Sequence, residues 1–105
     1  MTTIAGLQDF VDRHYAWARA TFPDETVNEK LIHLRKEVEE VRTDPTDIME
    51  YADCAMLLLH SLKLSGFTVH QLTVAMEEKF IRVQKIKTWV KSPDGDYQSV
   101  KEPLP

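Results

Sequence analysis

The 105-residue chain suits a single domain, and a domain of this size buries only about two-thirds of its unfolded surface, so we expect a second copy to complete its core. The formal net charge of −4 excludes non-specific binding to nucleic-acid polymers and anionic membranes, because both require basic patches. No apolar run approaches the roughly 18 residues of a membrane span, no secretion signal is recognisable, and the single cysteine, Cys54, offers neither a disulfide nor a zinc set, so we expect a cytoplasmic protein.

The first two predicted elements are amphipathic helices. Apolar residues recur at helical spacing from about Thr3 to Phe22, and Pro23 ends this helix. A second helix begins near Thr26 and carries an apolar stripe in alternating steps of four and three, formed by Val27, Leu31, Leu34, Val38 and Val41.

The third helix is predicted to begin at Asp44, as the N-cap, with Pro45 in the first turn. Gly66 is placed to end it. Twelve of the seventeen residues from Ile48 to Leu64 are apolar and surround the helix axis, which is typical of a helix buried on most sides.

A fourth helix is predicted to begin at Thr68, with Gln71 completing a capping box, and to continue to about Val90. We find no strand pattern, and residues 92–105 indicate a turn followed by an extended tail. The predicted architecture is therefore an all-α, four-helix bundle over residues 1–91 with a C-terminal tail.

Two acidic pairs with identical spacing flank the turn between the second and third helices: Glu37 with Glu40, and Glu50 with Asp53. Lys30 and His33 lie on the same shoulder of the second helix as the first pair, whereas Glu39 points elsewhere. The second pair lies in the apolar third helix, where an ionised carboxylate is costly unless it is paired or binds a metal.

A divalent cation would resolve this conflict, because carboxylate oxygens suit Mg²⁺ or Mn²⁺ and leave coordination positions for phosphate and water. Two simpler interpretations stay open at this point. A pair such as Glu37 and Glu40 is commonly solvated, and Glu50 or Asp53 could form an ion pair with Lys30 or Lys79. An EF-hand is excluded by the missing glycine and ligand alternation, and a di-iron bundle by the absence of Glu-x-x-His pairs.

The segments HLRKEVEEV, EYADCAMLLLHSLKLSGFT and EEKFIRVQKIKTW resemble the MazG-like all-α nucleoside triphosphate pyrophosphohydrolases. The likeness is greatest to the short, MazZ-like dATP/dGTP pyrophosphohydrolases of phages and bacteria. It implies a Mg²⁺-dependent enzyme, with Mn²⁺ as a substitute, that cleaves a (deoxy)nucleoside triphosphate to the monophosphate and pyrophosphate. It also implies a homodimer or homotetramer acting in a bacterial cytoplasm, including that of a phage-infected host.

The resemblance also implies residue roles. Glu37, Glu40, Glu50 and Asp53 match the metal ligands of the family, and Glu37 or Glu40 could serve as general base. Basic residues of the second and fourth helices, with a histidine and a tryptophan, are candidate substrate contacts: Lys30, His33, Lys79, Arg82 and Trp89. Lys79 is also assigned a catalytic role in stabilising the leaving pyrophosphate. Trp17, Tyr51 and Trp89 are candidate walls for the base.

Two alternatives to this function are a non-catalytic helical interaction module and a related pyrophosphohydrolase acting on another phosphorylated substrate. Product analysis would distinguish all three.

Overall fold

The structure is a computed structural model that describes residues 3–100. Four helices and two short strands follow one another in these residues: α1 (Ile4–Thr21), α2 (Val27–Thr43), α3 (Ile48–Leu64), α4 (Val69–Gln84), β1 (Trp89–Lys91) and β2 (Tyr97–Ser99). The predicted four-helix architecture is confirmed. Residues up to Leu72 form one compact unit and residues from Thr73 form a second, so α4 contributes to both.

The first two helices begin where the sequence predicts, and a threonine caps each of them. The Thr3 hydroxyl accepts a hydrogen bond from the Gly6 amide at 3.0 Å. The Thr26 hydroxyl accepts from the Glu29 amide at 3.2 Å and donates to the Glu29 carboxylate at 2.8 Å. The bonds from the Gly6 and Glu29 amides satisfy backbone donors that would otherwise lack an intrahelical partner.

The predicted start of α3 at Asp44 is wrong by one turn. Asp47 is the N-cap, and its carboxylate accepts a hydrogen bond from the Met49 amide at 3.0 Å. The Asp44 amide instead donates to the Glu40 carbonyl at 3.0 Å and so completes the last turn of α2. Either aspartate could cap a helix, and the backbone bond of Asp44 to α2 leaves that role to Asp47.

Gly66 ends α3 as predicted. Its φ of +89° lies in the left-handed region that glycine adopts without steric cost. The amides of Gly66 and Phe67 then donate to the last free carbonyls of the helix, on Lys63 and Leu62. The predicted capping box of α4 is also present, because Thr68 and Gln71 exchange side-chain to backbone hydrogen bonds at 2.8 and 3.1 Å.

The prediction that the fourth helix reaches Val90, with no strand anywhere, is wrong. The helix ends at Gln84, and β1 pairs with β2 in an antiparallel hairpin in which Val90 lies opposite Gln98. The predicted turn between them is present, with Gly95 at a φ of +96°. Strands of three residues are too short to show an alternating pattern, so the apolar residues at 86–90 could not be told from a helix end.

In the first unit, α3 packs against both α1 and α2. The buried hydrophobic residues of the described chain are Val11, Ala18 and Val69, and α3 itself buries His60 and Ser61. The prediction that α3 is buried on most sides is wrong for a single chain, because Ile48 is 75% exposed and Met49 65% exposed. Across residues 3–100, no helix is long and apolar enough to cross a membrane.

Candidate metal centre

The two acidic pairs meet in the first unit. One carboxylate oxygen from each of Glu37, Glu40, Glu50 and Asp53 lies within 4.8 Å of the others. The short loop 44–47 makes α2 and α3 antiparallel neighbours, and three-residue spacing turns both members of each pair to the shared face. The structure therefore brings together all four residues that the sequence selected as metal ligands.

Within residues 3–100, no lysine or arginine forms an ion pair with the four carboxylates of the cluster. Glu37 and Glu50 are half-buried, and the Oε2 atom of each is buried with no hydrogen-bond partner in the described part of the chain. Glu40 and Asp53 are exposed. The alternative in which Lys30 neutralises Glu50 or Asp53 is not observed, because the Lys30 ammonium lies 2.8 Å from the carboxylate of Glu25.

The electrostatics of the cluster follow from this crowding. The pKa of Glu50 is raised, first by burial of its carboxyl and then by a hydrogen bond to Glu40 and by the charges of Glu40, Asp53 and Asp47. The half-buried thiol of Cys54 also has a raised pKa. Burial is the largest cause, followed by the charges of Glu37, Asp53, Glu50 and Glu40. Cys54 is therefore a half-buried thiol that stays protonated near neutral pH.

The donor set fits a hard divalent cation. Four carboxylates supply oxygen ligands only, and the buried Oε2 atoms of Glu37 and Glu50 would gain the partner that they lack. Oxygen-only sites suit Mg²⁺ and Mn²⁺ better than Zn²⁺, which is bound mainly through nitrogen and sulfur.

Two neighbours on α2 define the edge of the cluster. The His33 Nε2 atom lies 3.0 Å from the Glu37 Oε1 atom and holds that carboxylate from one side. Glu39 does not belong to the cluster, because both of its carboxylate oxygens accept from Arg42 at 3.0 Å on an exposed surface. The predicted orientations of Glu37 and Glu39 are thus confirmed.

Sequence reasoning missed a buried ionic network that joins the loop before α2 to α3. Glu25, whose side chain is 3% exposed, is hydrogen-bonded to the His60 Nε2 atom and ion-paired with Lys30. Its pKa is lowered, because Lys30 and His60 outweigh the opposing effect of burial. His60 on the apolar α3 was a signal that a buried polar partner was needed, but nothing in the sequence identified Glu25 as that partner.

Most of the chain, including the four clustered carboxylates, is similar to known proteins. The profile of the dATP/dGTP pyrophosphohydrolase family matches residues 10–104. The chain belongs to this family. The resemblance seen in the motifs is therefore confirmed, and the four clustered carboxylates lie within the matched residues.

Two relatives illustrate the membership. The dATP/dGTP diphosphohydrolase of Salmonella phage PMBT28 is 34% identical over 99 residues, which are 93% of this chain and 32% of that protein. The chain thus spans about a third of the length of this curated relative. The MazG-like pyrophosphohydrolase of cyanophage S-2L, solved with dGDP and three catalytic Mn²⁺ ions per active site, shares the fold with a TM-score of 0.74 and 24% identity, covering 96% of this chain and 100% of that chain.

The predicted substrate contacts of this family member fall in different places. His33 and Lys30 lie in the first unit, where Lys30 is already ion-paired. Lys79, Arg82 and Trp89 lie in the second unit: Arg82 forms an exposed ion pair with Glu78 at 2.7 Å, and Trp89 belongs to β1 rather than to a helix. Their roles toward substrate stay predictions.

A cleft of about 220 Å³ opens beside the carboxylates in the first unit. It is lined by His14, His33, Glu37, Asp53, Met56 and Leu57. The proposed base contacts Trp17 and Tyr51 are not among these residues. Trp17 packs against His14 of α1 and against Phe22, which follows the end of that helix, and the Tyr51 hydroxyl donates to the Pro45 carbonyl at 2.9 Å.

Proposed function

We propose that the chain hydrolyses a deoxynucleoside triphosphate, with dATP and dGTP as the favoured substrates, to the nucleoside monophosphate and pyrophosphate. The observation that carries this proposal is the convergence of four carboxylates from two adjacent helices, with two buried oxygens that lack a partner among the described residues. An arrangement of this kind is unfavourable unless a cation occupies it, and a cation held by oxygens alone is suited to phosphate chemistry.

Three further findings support the proposal. The family to which the chain belongs is that of the dATP/dGTP pyrophosphohydrolases. The phage relative is named as a dATP/dGTP diphosphohydrolase. The cyanophage protein of the same fold binds a guanine deoxynucleotide and Mn²⁺. Because the chain covers only a third of the phage relative, the activity is inferred for this chain and requires its own test.

Glu37, Glu40, Glu50 and Asp53 would hold Mg²⁺ or Mn²⁺. A divalent cation bound there supplies positive charge against the phosphate oxygens and Lewis acidity toward water. The protein's contribution is to present four ligands from rigid helices and to keep Glu37 oriented through His33. Glu37 and Glu40 are both candidates for the general base that accepts a proton during attack at the α-phosphorus.

Basic residues would stabilise the negative charge that develops on the leaving pyrophosphate. Lys79 and Arg82 on α4 are proposed for this role, and Trp89 as a further substrate contact. Lys30 could join them only by leaving its 2.8 Å contact with Glu25. We propose that residues 1–91 carry out catalysis and that the enzyme acts in the cytoplasm.

A homodimer or homotetramer is part of the proposal. Ile32, which lies off the apolar stripe of α2, is 38% exposed, and Ile48 and Met49 at the start of α3 are more exposed still. Apolar side chains exposed on two adjacent helices favour burial against a second copy.

The decisive experiment is a panel of nucleoside triphosphates incubated with Mg²⁺ in ¹⁸O-labelled water. We expect a monophosphate and pyrophosphate as first products, with the label in the monophosphate alone, because attack falls on the α-phosphorus. Orthophosphate as the first product would contradict the proposal. No turnover, together with no effect of metal on melting, would favour the helical interaction module, and cleavage restricted to another phosphorylated compound would favour the related pyrophosphohydrolase.

Matched variants test the placement of the active site. Asp53→Asn and Glu40→Ala should each lower turnover by orders of magnitude, because each removes a ligand of the cation. Glu39→Ala should leave turnover unchanged, because Glu39 pairs with Arg42 away from the cluster. Equal damage from Glu39→Ala and Glu40→Ala would show that the active site is misplaced.

A further inference from the structure

The cleft beside the carboxylates is lined by both charged and apolar side chains. Glu37 and Asp53 are two of the four clustered carboxylates, and Met56 and Leu57, one helical turn beyond Asp53 on α3, contribute apolar lining to the same cleft. Its volume of about 220 Å³ is smaller than the roughly 300 Å³ at which sites for whole ligands begin. If the phosphates lie at the carboxylates, as the proposed function requires, the remaining space suits only one other part of a nucleotide.

His14 of α1 is the lining residue that comes from outside α2 and α3. Its ring is half-buried and stacked between Phe10 and Trp17, with centroids 6.1 Å away on both sides. His60 packs against it at 5.2 Å, and His60 is in turn fixed by its hydrogen bond to Glu25. The orientation of His14 is therefore set by packing and not by solvent.

The charge state of His14 suits a neutral ligand. Burial and the neighbouring His60 lower its pKa, against the opposing effect of Glu25, so the imidazole is uncharged near neutral pH. A neutral imidazole offers one hydrogen-bond donor, one acceptor and a flat face, which suit a sugar hydroxyl or a base and not a phosphate. Nothing in the proposed chemistry of the four carboxylates uses this group.

We propose that His14 is a substrate-binding residue that contacts the nucleoside part of the substrate, in the space enclosed by His14, Met56 and Leu57. This inference rests on the proposed function, because that function supplies the phosphates at the carboxylates. It replaces Trp17 and Tyr51 as the residues expected to recognise the nucleoside, since neither lines the cleft.

The test compares two ligands that share their phosphates. One is an α,β-methylene deoxyguanosine triphosphate, which cannot be cleaved at the proposed bond, and the other is inorganic tripolyphosphate, which has no nucleoside. Both are titrated with Mg²⁺ into the full chain by calorimetry. In the His14→Ala variant we expect affinity for the nucleotide to fall about tenfold, as for one lost buried contact, and affinity for tripolyphosphate to change by less than about twofold.

His70→Ala is the matched control, because His70 is an exposed histidine of the same unit that does not line the cleft. It should leave both affinities unchanged. An unchanged nucleotide affinity in His14→Ala would overturn the inference, and so would an equal loss for both ligands. Failure of the wild-type chain to prefer the nucleotide over tripolyphosphate would overturn it as well.

A second measurement does not depend on the variant being folded. In the wild-type chain, the imidazole proton resonances of His14 should shift when the nucleotide analogue is added with Mg²⁺, and not with tripolyphosphate. The absence of any shift would contradict the inference. Turnover of dATP and dGTP is assayed separately. If the chain cleaves them but neither His14 measurement shows a nucleotide contact, the His14 contact alone is refuted. If the chain does not cleave them, the proposed reaction is refuted.

Discussion

At the scale of single residues, the carboxyl of Glu50 shows why the folded chain is expected to bind a cation. Burial and three acidic neighbours raise its pKa above the ordinary 4.5, so at pH values between the two the folded chain binds a proton there that the unfolded chain has released. Stability contributed by this group is present at low pH and is lost as the pH rises through the raised pKa. A bound cation reverses the preference, because it favours the charged carboxylate.

Glu50→Gln should therefore change stability in opposite directions with and without metal. The amide imitates the protonated acid, so at pH 7 in chelator the variant should melt above the wild-type chain. In saturating Mg²⁺ the order should invert, since only the wild type gains the full binding energy of the ion. Melting curves from pH 4 to pH 8 in both buffers check this, and parallel curves for the two proteins would contradict the assigned electrostatics.

Residue-level rules identified the four acids from the sequence because two features combined: spacing that puts each pair on one helix face, and an apolar surround that makes isolated charge costly. The same rules could not find Glu25, which stands in the loop before α2 with no periodic pattern around it. Its partners His60 and Lys30 lie 35 and five residues along the chain, so the network exists only once α2 and α3 are packed.

At the scale of elements, the Glu25 network ties the start of α2 to the last turns of α3. A loop carboxylate that is 3% exposed bridges a helix α2 ammonium and a helix α3 imidazole. Helix starts with a side-chain cap, at Thr3, Thr26 and Thr68, were predicted correctly from local sequence. The errors came where two local solutions compete, as for the two aspartates at the start of α3 and the helix or hairpin after Gln84.

Glu25→Gln should lower the free energy of unfolding by about 3 kcal/mol, because it leaves Lys30 and His60 without their buried counter-charge. Asp9→Asn is the matched control, since the Asp9–Arg13 pair at 2.9 Å is exposed and should contribute less than about 1 kcal/mol. Because the pKa of Glu25 is lowered, its contribution is present above the ordinary value of 4.5 and lost as the pH falls through the lowered one. Urea unfolding at pH 7 and pH 3 measures both effects, and an equal effect of the two variants at pH 7 would contradict the network.

At the scale of the whole molecule, the hydrophobic pattern exceeds what one chain buries. The pattern of α3 predicts burial on most sides, yet Ile48 and Met49 are largely exposed and Leu58 is about half exposed, at 52%. The apolar residues of a helix mark the surface that is buried once every packing partner is in place. Packing within one chain covers only part of that surface. The mismatch between the two is the physical basis for expecting a second copy.

Light scattering at micromolar concentration should therefore give a mass at least twice that of one chain. Ile32→Lys should shift the population toward monomer, because it places a charge in an apolar contact on α2 where desolvation is unfavourable. Ala20→Lys adds the same charge at an exposed position of α1 and should leave the mass unchanged. A wild-type chain that is monomeric throughout the concentration range would contradict the assembly. If the Ile32 and Ala20 variants dissociate equally, added charge in general, rather than loss of an α2 contact, would account for the change.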